Sequence, residues 1–424
     1  MRKILFLLSG SIWSCSAAGN TSDLAELGAG VFAKDGGAIV DAASVRDAGA
    51  QIDGTDSDTT SISGWIEEPL NLSTGSAIAL SVPGLLVAHP TPSRRLFVDL
   101  AQENSFPYSG SGIVGGEWTS GAFGTLLIDR NPSHPPTVEP SVHSAAYSFA
   151  GDPHVLYSHD GIGLSIAWYP PGGGAGPGSP MNFWPTTAID DNPLHFGGWP
   201  PKEIAMPTAG SYRLLLYTSS DSIGRDVFPW SPGSWESFDL SQGLFSAGAP
   251  QSWSIEWALF DPADRDHLVI GATGGVRSCS LAPNITGNPA CATTPFGVGI
   301  PTTEVQVTGA MSLADPNRIY SMTEDQGSST TEHHLYVSSD RGQNFVARTL
   351  PSQSRGIILH PSQSDTLVVN ATAQGVSTLY VSKDGGLTFS SLAPPSTGDL
   401  EGMAIDAAGT LFVTQAGSLW SMAL

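Results

Sequence analysis

The chain has 424 residues with 49 glycines and 32 prolines, and only 13% of its residues are charged. This length is enough for a large core, and a composition rich in turn formers favours an architecture of many short strands. The 17 basic and 39 acidic residues give a formal net charge of −22, which argues against nucleic acid, an anionic membrane surface or an acidic substrate as a partner.

The first residues have the features of an export signal. Met1-Arg2-Lys3 supplies the positive charge, and the apolar run from Ile4 to Ile12 is too short to span a bilayer. Two processing sites compete: Cys15 stands where a bacterial lipobox has its lipidated cysteine, and Ser16-Ala17-Ala18 fits an ordinary cleavage site. We favour a signal peptide over residues 1–15 and lipidation at Cys15, which predicts an exported lipoprotein of the bacterial outer membrane or cell surface. Cleavage after Ala18, giving a secreted protein, is the alternative.

Residues 16–61 are rich in Ala, Gly, Asp and Ser and have no aromatic residue after Phe32. Such a segment cannot bury enough apolar surface to fold, so we expect a disordered acidic linker. Asp53, Asp56 and Asp58 superficially resemble a calcium loop, but no bidentate glutamate follows at the required spacing. No metal site and no cofactor are therefore expected.

From residue 62 the sequence repeats one pattern, in which an apolar run leads into a turn with Asp or His, usually followed by Pro, and then into a second apolar run. The pattern occurs at 85–100, 257–272, 311–322, 356–371 and 403–416. The last four instances begin about 45 to 55 residues apart, and repeats of this size are typical of folds that place one sheet after another. We therefore predict a single domain over 62–424, in which each instance is the inner hairpin of a sheet.

Tryptophan is concentrated in the first half of this domain, where nine of the eleven lie between residues 65 and 257. The same half contains the Gly- and Pro-rich stretch 169–203, and long loops of this kind are usually functional. Flat aromatic rings suit the faces of sugars. The candidate ligand-binding residues are Trp118, Trp184, Trp199 and Trp230, although several tryptophans of this half could be core residues instead.

Carboxylates near these aromatic residues could support glycoside hydrolysis, which needs one acid with a raised pKa and one base or nucleophile. The candidates are Glu117 beside Trp118, the adjacent pair Asp190 and Asp191, and Glu256 beside Trp257. Adjacent aspartates are more often turn formers than a catalytic pair. The sequence thus leaves the catalytic residues unassigned.

Cys279 and Cys291 are the two remaining cysteines, twelve residues apart. In an exported protein they most simply form one disulfide bond. A zinc site would need more ligands than this stretch offers.

The sequence LYVSSDRGQNF at 335–345 recurs as LYVSKDGGLTF at 379–389. In each copy a strand-forming run is followed by an Asp that can accept hydrogen bonds from downstream amides and a Gly that can take a positive φ. The residues assigned to this turn are Ser338, Asp340, Gly342, Phe345, Ser382, Asp384, Gly386, Thr388 and Phe389. Two degenerate copies, around Asp160 and Asp221, have one extra residue before the glycine and are also expected after a third strand.

The chain ends after three apolar runs of its last repeat. We expect the fourth strand of that sheet to come from the N-terminal side of the domain, from Gly64–Glu68 or Ile78–Val82, because such closure removes an exposed sheet edge.

The two turns resemble the Asp-box of sialidases, sortilin-type receptors and xyloglucanases. In that family the box joins the third and outermost strands of a β-propeller blade, its aromatic residue packs between sheets, and ligands bind at the central channel. The resemblance implies an all-β fold, and counting the repeats gives a seven-bladed β-propeller with Asp-box hairpins, with six or eight blades as alternatives.

The resemblance does not extend to the catalytic features of the family. Around Arg94 and Arg95 the chain lacks the (Phe/Tyr)-Arg-Ile-Pro of sialidases, and it has the length for one propeller where xyloglucanases pair two. We therefore expect a binding module, a monomer whose partner at the channel face is a polysaccharide or a cell-surface protein. The alternative is a glycoside hydrolase or polysaccharide lyase that uses carboxylates in the Trp-rich loops.

Overall fold

A computed structural model describes the chain at 64–72, 85–89, 94–102, 112–129, 141–147, 153–159, 163–168, 182–184, 203–205, 213–217, 222–227, 235–239, 255–272, 274–280, 295–325, 332–373 and 375–424. These residues form 28 β-strands and no helix, which confirms the predicted all-β class. None of the described segments is a helix long and apolar enough to cross a membrane. The predicted signal peptide and linker lie outside the described residues.

The strands belong to seven separate sheets. Two short strands come first in the chain: β1 (Ile66–Glu68) and β2 (Asn71–Leu72). Sheet 1 contains β3 (Leu86–Ala88), β4 (Arg95–Gln102), β5 (Gly112–Thr119) and β6 (Ala122–Asp129), with β2 added in parallel to β6. Sheet 2 contains β7 (Ser141–Tyr147), β8 (Pro153–His159), β9 (Gly163–Trp168) and β10 (Asn182–Trp184). Sheet 3 contains β11 (Glu203–Ala205), β12 (Arg213–Tyr217), β13 (Ser222–Val227) and β14 (Trp235–Asp239).

The remaining four sheets follow in the same manner. Sheet 4 contains β15 (Ile255–Asp261), β16 (Asp264–Ala272) and β17 (Gly275–Ser280). Sheet 5 contains β18 (Glu304–Met311), β19 (Ile319–Asp325), β20 (His333–Ser338) and β21 (Val346–Arg348). Sheet 6 contains β22 (Ser354–Leu359), β23 (Leu367–Ala373), β24 (Val376–Ser382) and β25 (Ser390–Leu392). Sheet 7 contains β26 (Leu400–Ile405), β27 (Thr410–Gln415), β28 (Ser418–Ala423) and, as its fourth strand, β1.

The first strands of the seven sheets form the inside of a ring. Each of the five repeated sequence patterns forms the first two, antiparallel strands of its sheet, as predicted. The first strand of every sheet contacts the first strand of the next, from β3 through β7, β11, β15, β18, β22 and β26 and back to β3. The sheets are therefore arranged around a common centre.

Apolar layers between successive sheets form the core. Strand β23 is buried on both faces: Val368 packs against Leu411 and Val413 of sheet 7, and Val369 packs against Tyr320 and Leu335 of sheet 5. A strand that is covered on both faces is apolar at consecutive positions. This explains why the second strands read as continuous apolar runs in the sequence.

Trp257 shows how closely neighbouring sheets approach. It is 3% exposed, and a Cβ atom added to Gly271 or to Gly309 would lie 2.1 and 2.5 Å, respectively, from its ring. The indole therefore occupies space that any side chain on these two strands would need, and it fills the layer between sheets 4 and 5.

Ring closure follows one of the two predicted alternatives. Strand β1 pairs antiparallel with β28, with Ile66 opposite Ser421 and Glu68 opposite Leu419. The alternative segment, Ile78–Val82, lies outside the described residues.

The degenerate turns differ from the prediction. Asp160 follows β8 and Asp221 precedes β13, so both lie between the second and third strands of their sheets, not after a third strand. The prediction was wrong because HVLY and LLLY form second strands; an apolar run shows that a strand is buried and does not give its place in the sheet.

Candidate functional site

The ring has two distinguishable ends. At one end, which we call the turn end, lie the connections between first and second strands and between third and fourth strands. Contacts between neighbouring sheets align these connections: Arg94 N donates to Asp406 Oδ2 at 2.6 Å, and Arg318 Nη2 lies 2.6 Å from Asp365 Oδ1. The first strands begin at the opposite end, which we call the bulged end.

The two Ser-x-Asp turns lie at the turn end and have the predicted structure. In the second copy Asp384 Oδ1 accepts hydrogen bonds from the amides of Leu387 and Thr388 at 3.0 and 2.9 Å, and Ser382 Oγ accepts one from Gly386 N at 2.8 Å. Gly386 has a φ of 83°. Hydrogen bonds, first of all from the Thr388 hydroxyl, lower the pKa of Asp384 to about 2. The first copy repeats these bonds around Asp340.

The aromatic residues of these turns pack between sheets, as the resemblance implied. Phe345 is 5% exposed and lies with Trp257 and Val276 of sheet 4 and Ile319 of its own sheet. Phe389 packs against the cluster shared by sheets 5 and 6. The turns are thus structural contacts between sheets.

The bulged end carries the feature that repeats most regularly among the first strands. In five of them one residue near the start of the strand is skipped in the pairing with the second strand. A bulge of this kind leaves one residue outside the ladder and redirects its side chain, and bulges are over-represented beside active sites. The skipped residues are His143, Glu256, Val307, Arg355 and Glu401.

Glu401 is the most perturbed of these side chains. It is partly buried, and burial, reinforced by the negative charge of Asp399, raises its pKa to about 7. Its Oε2 atom is buried and has no hydrogen-bond partner within the described residues. A large fraction of Glu401, about half at pH 7, is therefore protonated and can donate a hydrogen bond or a proton.

Other buried polar atoms surround the bulges. Gln306, next to Val307, accepts a hydrogen bond from Ser321 at 2.5 Å through Oε1, while its Nε2 has no partner within the described residues. The same holds for Asn370 Oδ1 and Thr414 Oγ1, which lie on the second strands opposite the residues that follow Arg355 and Glu401. Because buried polar atoms are nearly always satisfied, this end of the ring is suited to a polar ligand or bound water.

Glu304 lies at the same end of sheet 5 and is 6% exposed. Its Oε1 accepts a hydrogen bond from the Tyr336 hydroxyl at 2.7 Å and lies 3.1 Å from His334 Nδ1, and its Oε2 accepts one from the Thr323 hydroxyl. Burial, together with this hydrogen bond to Glu304, raises the pKa of Tyr336. The carboxylate is thus fully engaged with its own sheet.

The predicted catalytic candidates separate in the structure. Glu256 is at the bulged end, but Glu117 is at the turn end, where its Oε1 accepts hydrogen bonds from Arg95 Nε at 2.5 Å and from the Tyr147 hydroxyl at 3.3 Å. Glu117 therefore links sheets 1 and 2, and it is not near Glu256. Asp190 and Asp191 lie outside the described residues.

Trp118 is a core residue, which corrects its selection as a ligand-binding ring. It is completely buried, its Nε1 donates to Pro69 O at 3.0 Å, and its ring meets Phe412 edge-on at 5.7 Å. Alternation along β5 turns it into the layer between sheets 1 and 7, which its loop-like sequence context did not indicate.

The other predicted residues can be placed only in part. Trp184 is the last residue of β10, where it pairs with Ile166 in the middle of β9, so it belongs to a strand. Cys279 is completely buried on β17. Outside the described residues lie Cys15, Trp199, Trp230 and Cys291.

Sequence reasoning missed Arg355 and Glu401, although a signal exists. Glu256, Arg355 and Glu401 each stand five residues before the turn residue of their repeat, which is Asp261, His360 and Asp406, respectively. A charged residue at this fixed spacing inside an apolar strand indicates a bulge. No group of three or more metal-ligating side chains is present in the described segments.

Comparison of the chain with known proteins found similarity in structure alone. No protein-family model and no curated protein matches the sequence. Among solved structures, the GH74 enzyme of Niastella koreensis has a TM-score of 0.53 at 12% identity over 81% of this chain. The GH74 xyloglucanase of Xanthomonas campestris has a TM-score of 0.53 at 12% identity over 84%. Raptor of Chaetomium thermophilum has a TM-score of 0.53 at 11% identity over 85%.

The chain spans 53% of the length of each of the two enzymes and 29% of Raptor. Identity this low shows the fold alone. The two GH74 enzymes are built on β-propellers, so the likeness shows a propeller-like arrangement of the described antiparallel sheets.

Proposed function

We propose that this chain is an exported, seven-bladed β-propeller of the Asp-box class that binds a carbohydrate at the bulged end of its ring. The observation that carries the proposal is the recurrence of one bulge at the start of five first strands, three of which present a charged side chain. The recurrence of one irregularity at the same place in five first strands favours a ligand site at that end of the ring over chance strain.

The chemistry of this end suits sugar hydroxyls. Arg355 supplies donors, Glu256 can accept, and a protonated Glu401 can do either. The nearby atoms of Gln306, Asn370 and Thr414 that have no partner among the described residues add one donor and two acceptors. The concentration of tryptophan in the first half of the domain favours a carbohydrate over a protein as the ligand.

The test is affinity electrophoresis of the chain from residue 62 onward through gels that contain neutral or acidic polysaccharides. We expect retardation by at least one polysaccharide and a loss of about tenfold or more in affinity for Arg355→Ala and for Glu401→Ala. Lys383→Ala is the matched control, because it removes an exposed charge at the turn end. Equal retardation of all four proteins, or none of the wild type, would contradict the proposal.

Two tryptophans belong to the same proposal. We expect Trp184→Ala and Trp199→Ala to abolish carbohydrate binding with little change in stability. Unfolding of these variants would instead identify the two residues as core residues and remove them from the site.

A second candidate function is glycoside hydrolysis or polysaccharide cleavage at the same end. The raised pKa of Glu401 favours it, because such enzymes need a carboxylic acid that stays protonated near neutral pH, and Glu256 supplies a second carboxylate. New reducing ends or unsaturated products in the same gels, lost in Glu401→Gln, would establish it. Retardation without products would establish the binding module.

Export is part of the proposal and has its own tests. Lipidation at Cys15 predicts incorporation of radiolabelled palmitate that is lost in Cys15→Ala, whereas cleavage after Ala18 predicts none. A disulfide bond between Cys279 and Cys291 predicts that peptides containing these residues stay joined in a non-reducing digest and separate after reduction.

A further inference from the structure

At the turn end of sheet 4, away from the carbohydrate site proposed above, a serine contacts a histidine and the same histidine contacts an aspartate. His267 Nε2 lies 2.6 Å from Ser278 Oγ, within hydrogen-bond distance. His267 Nδ1 lies 3.2 Å from Asp261 Oδ2, which is an ion-pair distance without hydrogen-bond alignment. The three residues come from the three strands β15, β16 and β17 of one sheet. Their relative positions are thus fixed by the ladder and not by a loop.

Exposure increases from the aspartate through the histidine to the serine, as nucleophilic catalysis requires. Asp261 is completely buried, His267 is 8% exposed, and Ser278 is partly exposed. A buried carboxylate orients the imidazole, the imidazole takes the proton, and the hydroxyl must be reachable by a substrate. Asp261 is itself held by the amide of Ala263, which donates to its Oδ1 at 2.8 Å.

Burial keeps His267 available as a base. Burial lowers the pKa of His267, and Arg341, whose Nη2 lies 3.2 Å from Asp261 Oδ2, lowers it further, while Asp261 and Asp264 act in the opposite direction. The net shift leaves the imidazole neutral at pH 7, which is the form that can accept a proton from a serine.

The backbone of β17 adds a hydrogen-bond donor beside the serine. Val276 O accepts a hydrogen bond from Gly297 N at 2.8 Å, so the polar groups of Val276 point away from β16. In an antiparallel ladder the groups two residues apart point to the same side. The N–H of Ser278 therefore also points away from β16, and within the described residues it has no backbone partner.

We propose that Ser278, His267 and Asp261 form a second, esterolytic site in which Ser278 is the nucleophile for a carboxylic ester. Ser278 Oγ adds to the ester carbonyl carbon as its proton passes to His267 Nε2, and the Ser278 N–H stabilises the resulting oxyanion. The C–O bond to the alcohol then breaks, and the alcohol leaves with the proton from His267. Water, deprotonated by His267, releases the acid from the acyl-serine and restores the hydroxyl.

The test is covalent labelling by a fluorophosphonate, followed by identification of the modified peptide by mass spectrometry, with release of p-nitrophenol from p-nitrophenyl acetate as a second readout. We expect the wild type to be labelled at Ser278 and to hydrolyse the ester. Ser278→Ala and His267→Gln should lose at least tenfold in both rates. Ser280→Ala, which removes an exposed hydroxyl two residues further along the same strand, should keep both.

Circular dichroism of each variant separates loss of reactivity from loss of fold. The wild type provides a check that needs no variant, because its labelling rate should rise with pH through a pKa below the usual value for histidine and then level off. Absence of labelling in the folded wild type, or labelling that survives in Ser278→Ala, would overturn the proposal. The carbohydrate site would be unaffected by either result.

Discussion

At the residue scale, the protein shifts the proton affinity of two carboxylates in opposite directions. Asp384 in the second Ser-x-Asp turn is partly exposed and accepts three hydrogen bonds from Leu387 and Thr388, which stabilise its charged form. Glu401 in the last bulge is partly buried, which disfavours its charged form. The two residues therefore make the stability of the fold depend on pH in different ranges and with opposite sign.

Asp384 contributes stability that is lost at acidic pH. Its pKa is lowered to about 2 in the folded state, so its contribution is present above the unfolded-state pKa of about 4 and is lost as pH falls through about 2. We expect the wild type to lose more thermal stability between pH 4 and pH 2 than Asp384→Asn does, as measured by circular dichroism melts. The control Glu332→Gln, an exposed carboxylate, should follow the wild type; parallel curves for all three proteins would contradict the prediction.

Glu401 has the opposite effect. Its folded-state pKa of about 7 lies above its unfolded value, so the folded state loses stability as pH rises from about 4.5 through 7. The shift corresponds to at most about 3 kcal/mol, which solvent screening of a half-buried group reduces to roughly 1–2 kcal/mol. Glu401→Gln should therefore be more stable than the wild type at pH 8 and about equal at pH 4, measured by urea denaturation at both pH values. A difference that does not change with pH would show that Glu401 titrates normally.

At the element scale, some glycines are needed for the close approach of neighbouring sheets and others are not. Gly309 on β18 faces the Trp257 ring, and an added Cβ would lie 2.5 Å from it. Gly356, a glycine of the next first strand, would place a Cβ 3.7 Å from the end of the Met403 side chain, which is ordinary contact. Both glycines lie in first strands, but only the position of Gly309 has no room for a Cβ atom.

These two glycines give a matched pair of variants. Gly309→Ala should destabilise the protein by about 1–3 kcal/mol because the methyl group overlaps the indole and forces the sheets apart. Gly356→Ala should change stability by less than about 1 kcal/mol. Urea denaturation followed by tryptophan fluorescence measures both, and an equal loss in the two variants would mean that strand conformation, not contact with Trp257, decides the cost.

The separation of contacting residues along the chain decides which features the sequence could predict. The turns around Asp340 and Asp384 were predictable because their hydrogen bonds join residues within four positions of each other. The hairpins were predictable because their paired strands follow each other directly in the sequence. The burial of Trp118 was not, because its neighbours, including Phe412, are distant in the sequence. The position of Glu401 could have been found from its spacing to Asp406, but its raised pKa could not, because that depends on burial in the folded ring.

At the scale of the whole molecule, one short strand closes the ring. Strand β1 comes from the start of the domain and completes the last sheet, and Glu68 fastens it. The Glu68 carboxylate accepts two hydrogen bonds from Arg94 Nη2, at 2.6 and 2.7 Å, and one from Ser421 Oγ at 2.5 Å. Trp65 Nε1 adds a hydrogen bond to Ala393 O of the neighbouring sheet at 2.8 Å. Residues from sheets 1, 6 and 7 thus meet at the closure.

Removing the Glu68 carboxylate should therefore affect the stability of the entire ring. Glu68 is 5% exposed, and its loss leaves the half-exposed Arg94 guanidinium without its ion-pair partner, for which we expect a cost of about 2–3 kcal/mol in Glu68→Ala. Glu67→Ala is the control, because Glu67 lies next to it on the same strand, is exposed and makes a surface hydrogen bond to Ser418; it should cost less than about 1 kcal/mol. If β1 closes the ring, Glu68→Ala should lower the midpoint of one cooperative urea transition. A separate early transition in which only part of the signal changes would show instead that β1 detaches without weakening the other sheets.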